Sequence, residues 1–390
     1  MSVPRLMNKC EEYLVFHSLM PMIDKLGYAG QYNLTPPPDT LSEMRIEVAP
    51  DWYVYSMHMT AVLTTPLNLI GVLIIVFCQT TQVQSLRWHL LTYQICSMIT
   101  DFLINIGCLP VVYSPFAIGR PHGLFTKVFT YFGNNKTTEA QCVVVFVSMY
   151  ITAGSVELLF FLRCQAILPI NHKYKLTLGK SILLTALYQC VLIALMVISF
   201  TSAVPDQAET QAQFLKMYPQ FEYLIVDENV FFFCVHVEAV HVLFLSTCLL
   251  RLAAGMAMVF LLVWMSSRAL HSFQLSTRTR RMHLQLIKSL CYQISVPVVA
   301  FYGPLIVLII PLIFTIPDTQ VPFFFCLLFM SVHTSLGTLS MLYFNRPYRS
   351  WLILTLRKRT FVTSHSGSQF KTNKYFARTD RIKEGVSALF

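Results

Sequence analysis

Four ionisable side chains, Asp101, Glu157, Arg251 and His333, lie inside long apolar runs, where any ion pairing, proton exchange or ligand recognition would be concentrated. A charge in such surroundings is expensive, so each is a candidate for function with a structural role as its alternative. Asp101 has Ser97 and Asn105 four residues to either side, on one helical face. That face reads as a hydrogen-bonded carboxyl joining helices or as an ion or water site that switches with state. Counting 1.5 Å per residue separates Glu157 and Arg251 by about 12 Å in depth, which argues against an ion pair. Arg251 then reads as a structural or cavity-lining residue rather than a ligand contact. Tyr150, Arg251 and His333 are the candidates for an outward-facing pocket. Ser148, Thr152 and Ser155, like Ser331, Thr334, Ser335 and Thr338, follow helical spacing and read first as close-packing contacts. Pro297, Pro304 and Pro311 recur every seven residues, stacking kinks on one side of a helix that is either statically bent or able to swing.

Catalytic chemistry is not indicated. There is no HExxH, GxSxG or P-loop, and no paired carboxylates beside a nucleophile. The 11 cysteines form no CxxC pair and have no His partner at metal spacing, so neither a metal nor a cofactor is implied.

The elements that must hold these residues are membrane helices. Of 390 residues, 55% are hydrophobic and only 12% charged, outside the range of soluble domains. A helix needs roughly 20 apolar residues to cross a bilayer. Runs of that length recur near 56–78, 89–113, 140–164, 181–203, 242–265, 289–314 and 320–344. The expected fold is an all-α seven-transmembrane helix bundle, with an extracellular segment 1–55 and a basic cytoplasmic tail 345–390. The start of the fifth run is the least defined, because apolar character begins at Val230. The stretch from Tyr13 to Met22 is short and follows Glu11 and Glu12, so it does not read as a signal peptide, and the first span is expected to direct insertion.

Charge sets the orientation. With the N-terminus outside, twenty of the 29 Lys and Arg residues fall on inner segments and eight on outer ones, with Arg251 inside the membrane. The formal charge of +10 is spread over loops rather than gathered on one face, which excludes nucleic acid as the natural partner. Sequons at Asn33 and Asn135 both fall on the outer side and are expected to be glycosylated. Cys142, at the outer start of the third span, and Cys234, before the fifth, are the pairing considered for a disulfide that would tie down the second outer loop, with unpaired buried thiols as the alternative. From Tyr348 to Phe361 the chain mixes Trp351, Leu352 and Leu356 with Arg357, Lys358 and Arg359, as in a helix lying on anionic membrane lipid, with an unstructured basic stretch as the alternative. No internal repeat suggests a two-halves transporter, and spans offer few midplane charges for a channel. A ligand-free membrane scaffold is the other alternative.

Several motifs, taken in order, carry a resemblance. They are Pro66-Leu67-Asn68, Leu90-Leu91-Thr92-Tyr93-Gln94, Asp101 and Phe161-Leu162-Arg163-Cys164-Gln165-Ala166-Ile167. Pro205-Asp206-Gln207, Gln293, Pro297, Pro304 and Asn345-Arg346-Pro347-Tyr348-Arg349 follow. From about residue 56 to 352 the chain resembles nematode serpentine chemoreceptors, closest to class I with class H as near relative. It lacks the Asp-Arg-Tyr and Asn-Pro-x-x-Tyr motifs of rhodopsin-like receptors. The resemblance implies a G-protein-coupled chemosensory receptor of olfactory type, in the plasma membrane of a sensory neuron, at its cilium. A small-molecule ligand in the outer half would shift the sixth span. The basic inner face, with Arg163, Arg278, Arg280, Arg281 and Arg349, would then meet a heterotrimeric G protein.

Overall fold

The computed structural model describes residues 45–78, 87–131, 137–168, 172–225, 229–235, 238–272, 318–344 and 348–355, with isolated positions between 284 and 316. Helix α1 (Asp51–Phe77) opens with an acidic residue in its first turn, favourable at the positive end of the helix dipole, and carries Pro66 without breaking. Helix α2 (Arg87–Phe102) runs on as a π-helical turn, Leu103–Gly107. A short α3 (Leu124–Tyr131) precedes α4 (Thr137–Ile167) and α5 (Leu178–Ala203). Then come α6 (Gln207–Met217), a 3-10 turn (Pro219–Leu224) and α7 (Ala239–Ser272). The last span is α8 (Gln320–Ser331) followed by α9 (His333–Phe344).

Six helical stretches among the described residues are long and apolar enough to cross a membrane: Asp51–Phe77, Arg87–Gly107, Thr138–Ala166, Leu178–Ala203, Ala239–Met265 and Gln320–Phe344. They match the first five expected runs and the seventh. The sixth run lies mostly outside the described residues. Pro304 is helical and buried; Pro297 and Pro311 lie outside.

The bundle is packed for a lipid surround. Leu183, Leu184, Leu187, Val191 and Ile198 of α5 face outward, while Ser181, Thr185 and Ser199 face in. Lipid removes the hydrophobic drive between helices, so small and hydrogen-bonding residues take the interior. The seventh span is the most enclosed of the six, with 56% of its apolar window buried against 17% for the fourth and fifth.

Hydropathy placed the end of the second span at 113, but the helix stops at Gly107. Residues beyond it are apolar for another reason: Leu109, Val111 and Tyr113, each 0% exposed, form the core of a cap. Leu109 turns the chain with a left-handed φ of 42°. Strands β1 (Pro110–Val112), β2 (Ala117–Pro121) and β3 (Phe231–Cys234) then form an antiparallel sheet in that order, with Val111 opposite Arg120 and Ile118 opposite Phe232. The early onset of apolar character at Val230 is this third strand. Asp206 caps α6 by accepting from the N–H groups of Ala208 and Glu209 at 3.0 and 3.2 Å. The Gln207 amide pairs with the backbone of Phe232 through both its ends, at 3.0 and 2.9 Å.

Phe116 gathers Phe214, Tyr218 and Phe221 around it at 5.1–5.4 Å between ring centres. Tyr53 ties the cap to the helices, stacking on Phe324 at 4.2 Å and donating to Pro110 O at 2.8 Å. At the opposite end Ile74, Ile75, Leu159, Phe160, Leu262 and Met341 form a second core. Residues 348–355 are helical there, with Tyr348 buried and Trp351 and Leu352 against that core. This segment packs on the bundle, whereas Ile353 and Leu354 are exposed.

Candidate functional site

Two buried polar centres occupy the bundle between the cap and the far core. The first joins α1, α2 and α9. A break at Val332 (φ −93°, ψ −2°) separates α8 from α9 and sets His333 against α2. His333 Nδ1 lies 2.7 Å from Met330 O and 3.2 Å from Asp101 Oδ1. Both neighbours are acceptors, so Nδ1 carries the proton. Asn68 Nδ2 donates to Asp101 Oδ2 at 3.4 Å, and Asn68 Oδ1 accepts from Ser335 and Thr338 at 3.2 and 3.0 Å. Gln94 Nε2 donates to Thr338 Oγ1 at 2.8 Å. Ser97 and Asn105 are buried beside Asp101, as their spacing predicts, with Ser97 Oγ and Asn105 Oδ1 unpartnered among the described residues. This arrangement joins helices through a shared proton network. His333 is turned into that joint, 2% exposed, and does not line an outward-facing pocket as the sequence suggested.

The second centre joins α4, α5 and α7. Glu157 Oε1 meets Arg251 Nη1 at 2.5 Å, and Gln189 Nε2 donates to Glu157 Oε2 at 2.6 Å. The ion pair that the depth count in the sequence argued against is formed. Helices α4 and α7 pack directly against one another, so both side chains can extend along the helix axis and span the axial offset. Glu157 and Arg251 are 2% and 5% exposed. The Arg251 guanidinium lies 5.6 Å from the centre of the Tyr150 ring. Gly154 makes the Gln189 contact feasible, because a Cβ there would come within 2.4 Å of Gln189 Cδ. Glu157 is satisfied at both oxygens, but Arg251 Nε and Nη2 and Gln189 Oε1 have no partner among the described residues. The Tyr150 hydroxyl has only the weak Cys248 thiol.

Asn68, Gln94, Thr338 and Gln189 were not picked out as site residues. Their signal was an amide or hydroxyl within an apolar run, and only the fold shows which ones converge.

Other expected residues fall apart from these centres. Cys142 and Cys234 are both free, so the considered disulfide is not formed. Cys142 packs beside Met196, Phe200 and Phe244, whereas Cys234 ends β3 opposite Ala117. Burial and the neighbouring Glu238 push the Cys234 thiol up to about 11. Arg163 is in the last turns of α4. Arg349 is exposed, with Nη1 3.5 Å from Tyr343 O. The α4–α5 turn beside Arg163 is clamped by Gln165, whose amide donates to Tyr174 O at 3.2 Å and accepts from Leu176 N at 2.9 Å. Arg278, Arg280, Arg281, Asn33 and Asn135 lie outside the described residues. No group of three His, Cys, Asp or Glu able to hold a metal occurs among the described residues.

Residues 48–358 match a family described as serpentine type 7TM GPCR chemoreceptor Srh. The match falls on class H, the near relative in the sequence reading, rather than class I. Squid rhodopsin has a similar fold, with a TM-score of 0.51 at 10% identity, over 90% of this chain and 96% of that one. At that identity the likeness is one of fold, a seven-helix membrane bundle. No curated relative matches the sequence. The family match encloses both polar centres.

Proposed function

The chain belongs to the Srh family of serpentine seven-transmembrane G-protein-coupled chemoreceptors, and on that premise we propose that a small molecule binding within its bundle switches it toward a G-protein-activating state. As a family of receptors this is not an enzyme class, and the chain is a multi-pass membrane protein. The cap faces the exterior, and the α4 end with Arg163, together with Arg349 and the basic third inner loop, faces a heterotrimeric G protein. The plasma membrane, and the cilium of a sensory neuron in particular, is the compartment this role calls for. Charge asymmetry and the placement of the sequons support the orientation.

The observation that carries the reading is the pair of buried polar joints, Asp101–His333 and Glu157–Arg251, each tying several spans together. A packed bundle with few such joints has a small number of alternative arrangements that a ligand can select. Taking activity from 1% to 99% requires the ligand to prefer the active state by about 5.5 kcal/mol. That is within reach of one small molecule making several buried contacts. A panel of small odorants on cells expressing the chain with a calcium or cyclic-nucleotide reporter tests the proposal. A reproducible, dose-dependent response is expected; silence across the panel with the receptor at the surface favours a ligand-free scaffold.

A further inference from the structure

We infer that Arg251 is a ligand anchor, and that the ligand it takes is a small, otherwise apolar molecule bearing a carboxyl or ester oxygen pair. This deepens the receptor reading above and rests on it. Glu157 engages the guanidinium through Nη1 alone. The opposite edge, Nε with Nη2, is the fork that accepts two oxygens side by side, and both of its donors are buried and unpartnered among the described residues. Burying two donors of a charged group without acceptors is strongly unfavourable. The Glu157 side of the pair is fully satisfied, so the open valence is confined to the edge facing away from it.

Two further groups offer complementary contacts. The Tyr150 hydroxyl, held only by the weak Cys248 thiol, can still donate or accept, and Gln189 Oε1 is an open acceptor. Two oxygens against the fork and a hydroxyl contact on Tyr150 describe a carboxylate, a carboxylic acid or an ester. Charge weighs on the choice: Glu157 already neutralises Arg251, so a neutral acid or ester adds no uncompensated charge. Tyr150 sits among Phe146, Phe200 and Phe244, so the rest of the molecule must be apolar.

The purified full chain in lipid nanodiscs is titrated with straight-chain acids from butanoic to decanoic, their methyl esters and alkanes of matching length, with thermal unfolding as the binding readout. Acids or esters are expected to raise the unfolding midpoint where alkanes do not. Acids alone identify an ionised carboxylate; acids and esters together identify the neutral carbonyl pair. Arg251→Lys retains a cation for Glu157 but removes the fork, and is expected to weaken binding about tenfold or more. Should that variant not fold, Tyr150→Phe removes one hydroxyl without disturbing the ion pair and is expected to weaken binding several-fold. No shift with any acid or ester, an equal shift with alkanes, or unchanged affinity in the folded variants overturns the inference. Binding without signalling in cells would instead overturn the receptor proposal and leave the anchor standing.

Discussion

Removing the Glu157 carboxylate leaves Arg251 buried without a counter-charge, so Glu157→Gln is expected to destabilise by about 3 kcal/mol. Thermal unfolding in nanodiscs reads this directly, and the double variant Glu157→Gln with Arg251→Gln should recover much of the loss. Asn68→Ala is a milder test at the other centre. Interhelical hydrogen bonds in membranes average about 0.6 kcal/mol and reach about 1.7, so its loss should fall in that range. An Asn68→Ala protein as unstable as Glu157→Gln would show that the Asp101 joint contributes as much as the Arg251 joint. Sequence identified the charged members of both centres because each is isolated in an apolar run. It did not identify their partners, since depth counted along separate helices says nothing about which helices are neighbours or how far side chains lean. Gln189 illustrates the point: its role depends on the missing Cβ of Gly154 on another helix.

Close approach between helices is what Gly71 and Gly154 provide. A Cβ on Gly71 of α1 would meet Thr338 Cγ2 of α9 at 2.6 Å, and Thr338 is 0% exposed. Gly71→Ala is therefore expected to force the two helices apart and cost about 1–3 kcal/mol in thermal unfolding. Gly179→Ala, with nothing within 4 Å of the added atom, should be neutral or stabilise by up to about 1 kcal/mol. Equal effects at both positions would contradict the packing assigned to α1 and α9. Most helices were legible because a span is a long run with one dominant composition. The end of the second span was not, because Leu109, Val111 and Tyr113 are buried in the cap rather than in lipid, and hydropathy does not distinguish the two environments. The break at Val332 was equally hidden: nothing in Ser331-Val332-His333 is a helix breaker, and the turn is set by where His333 meets Asp101.

The whole molecule is a helix bundle closed at one end by a folded cap. Its sheet, α6 and 3-10 turn share a core with α1 and α8 through Tyr53, Met57, Phe323 and Phe324. A ligand taken by the proposed Arg251 anchor would pass the cap or enter between helices on the lipid side. Charge asymmetry and sequon placement put the N-terminus outside, and that orientation makes a prediction of its own. Asn33 and Asn135 should carry glycans that an endoglycosidase removes, and a label after residue 365 should be reachable only in permeabilised cells. A tail label exposed on intact cells would invert the bundle. The claim that the chain is a ligand-switched, G-protein-activating receptor is tested most directly by ligand-evoked nucleotide exchange on a purified heterotrimeric G protein, with Arg163→Ala as the comparison. Exchange that rises with ligand and is lost in Arg163→Ala, at unchanged surface expression and ligand binding, is the expected result. Ligand binding that leaves exchange unaltered in the native chain would contradict it.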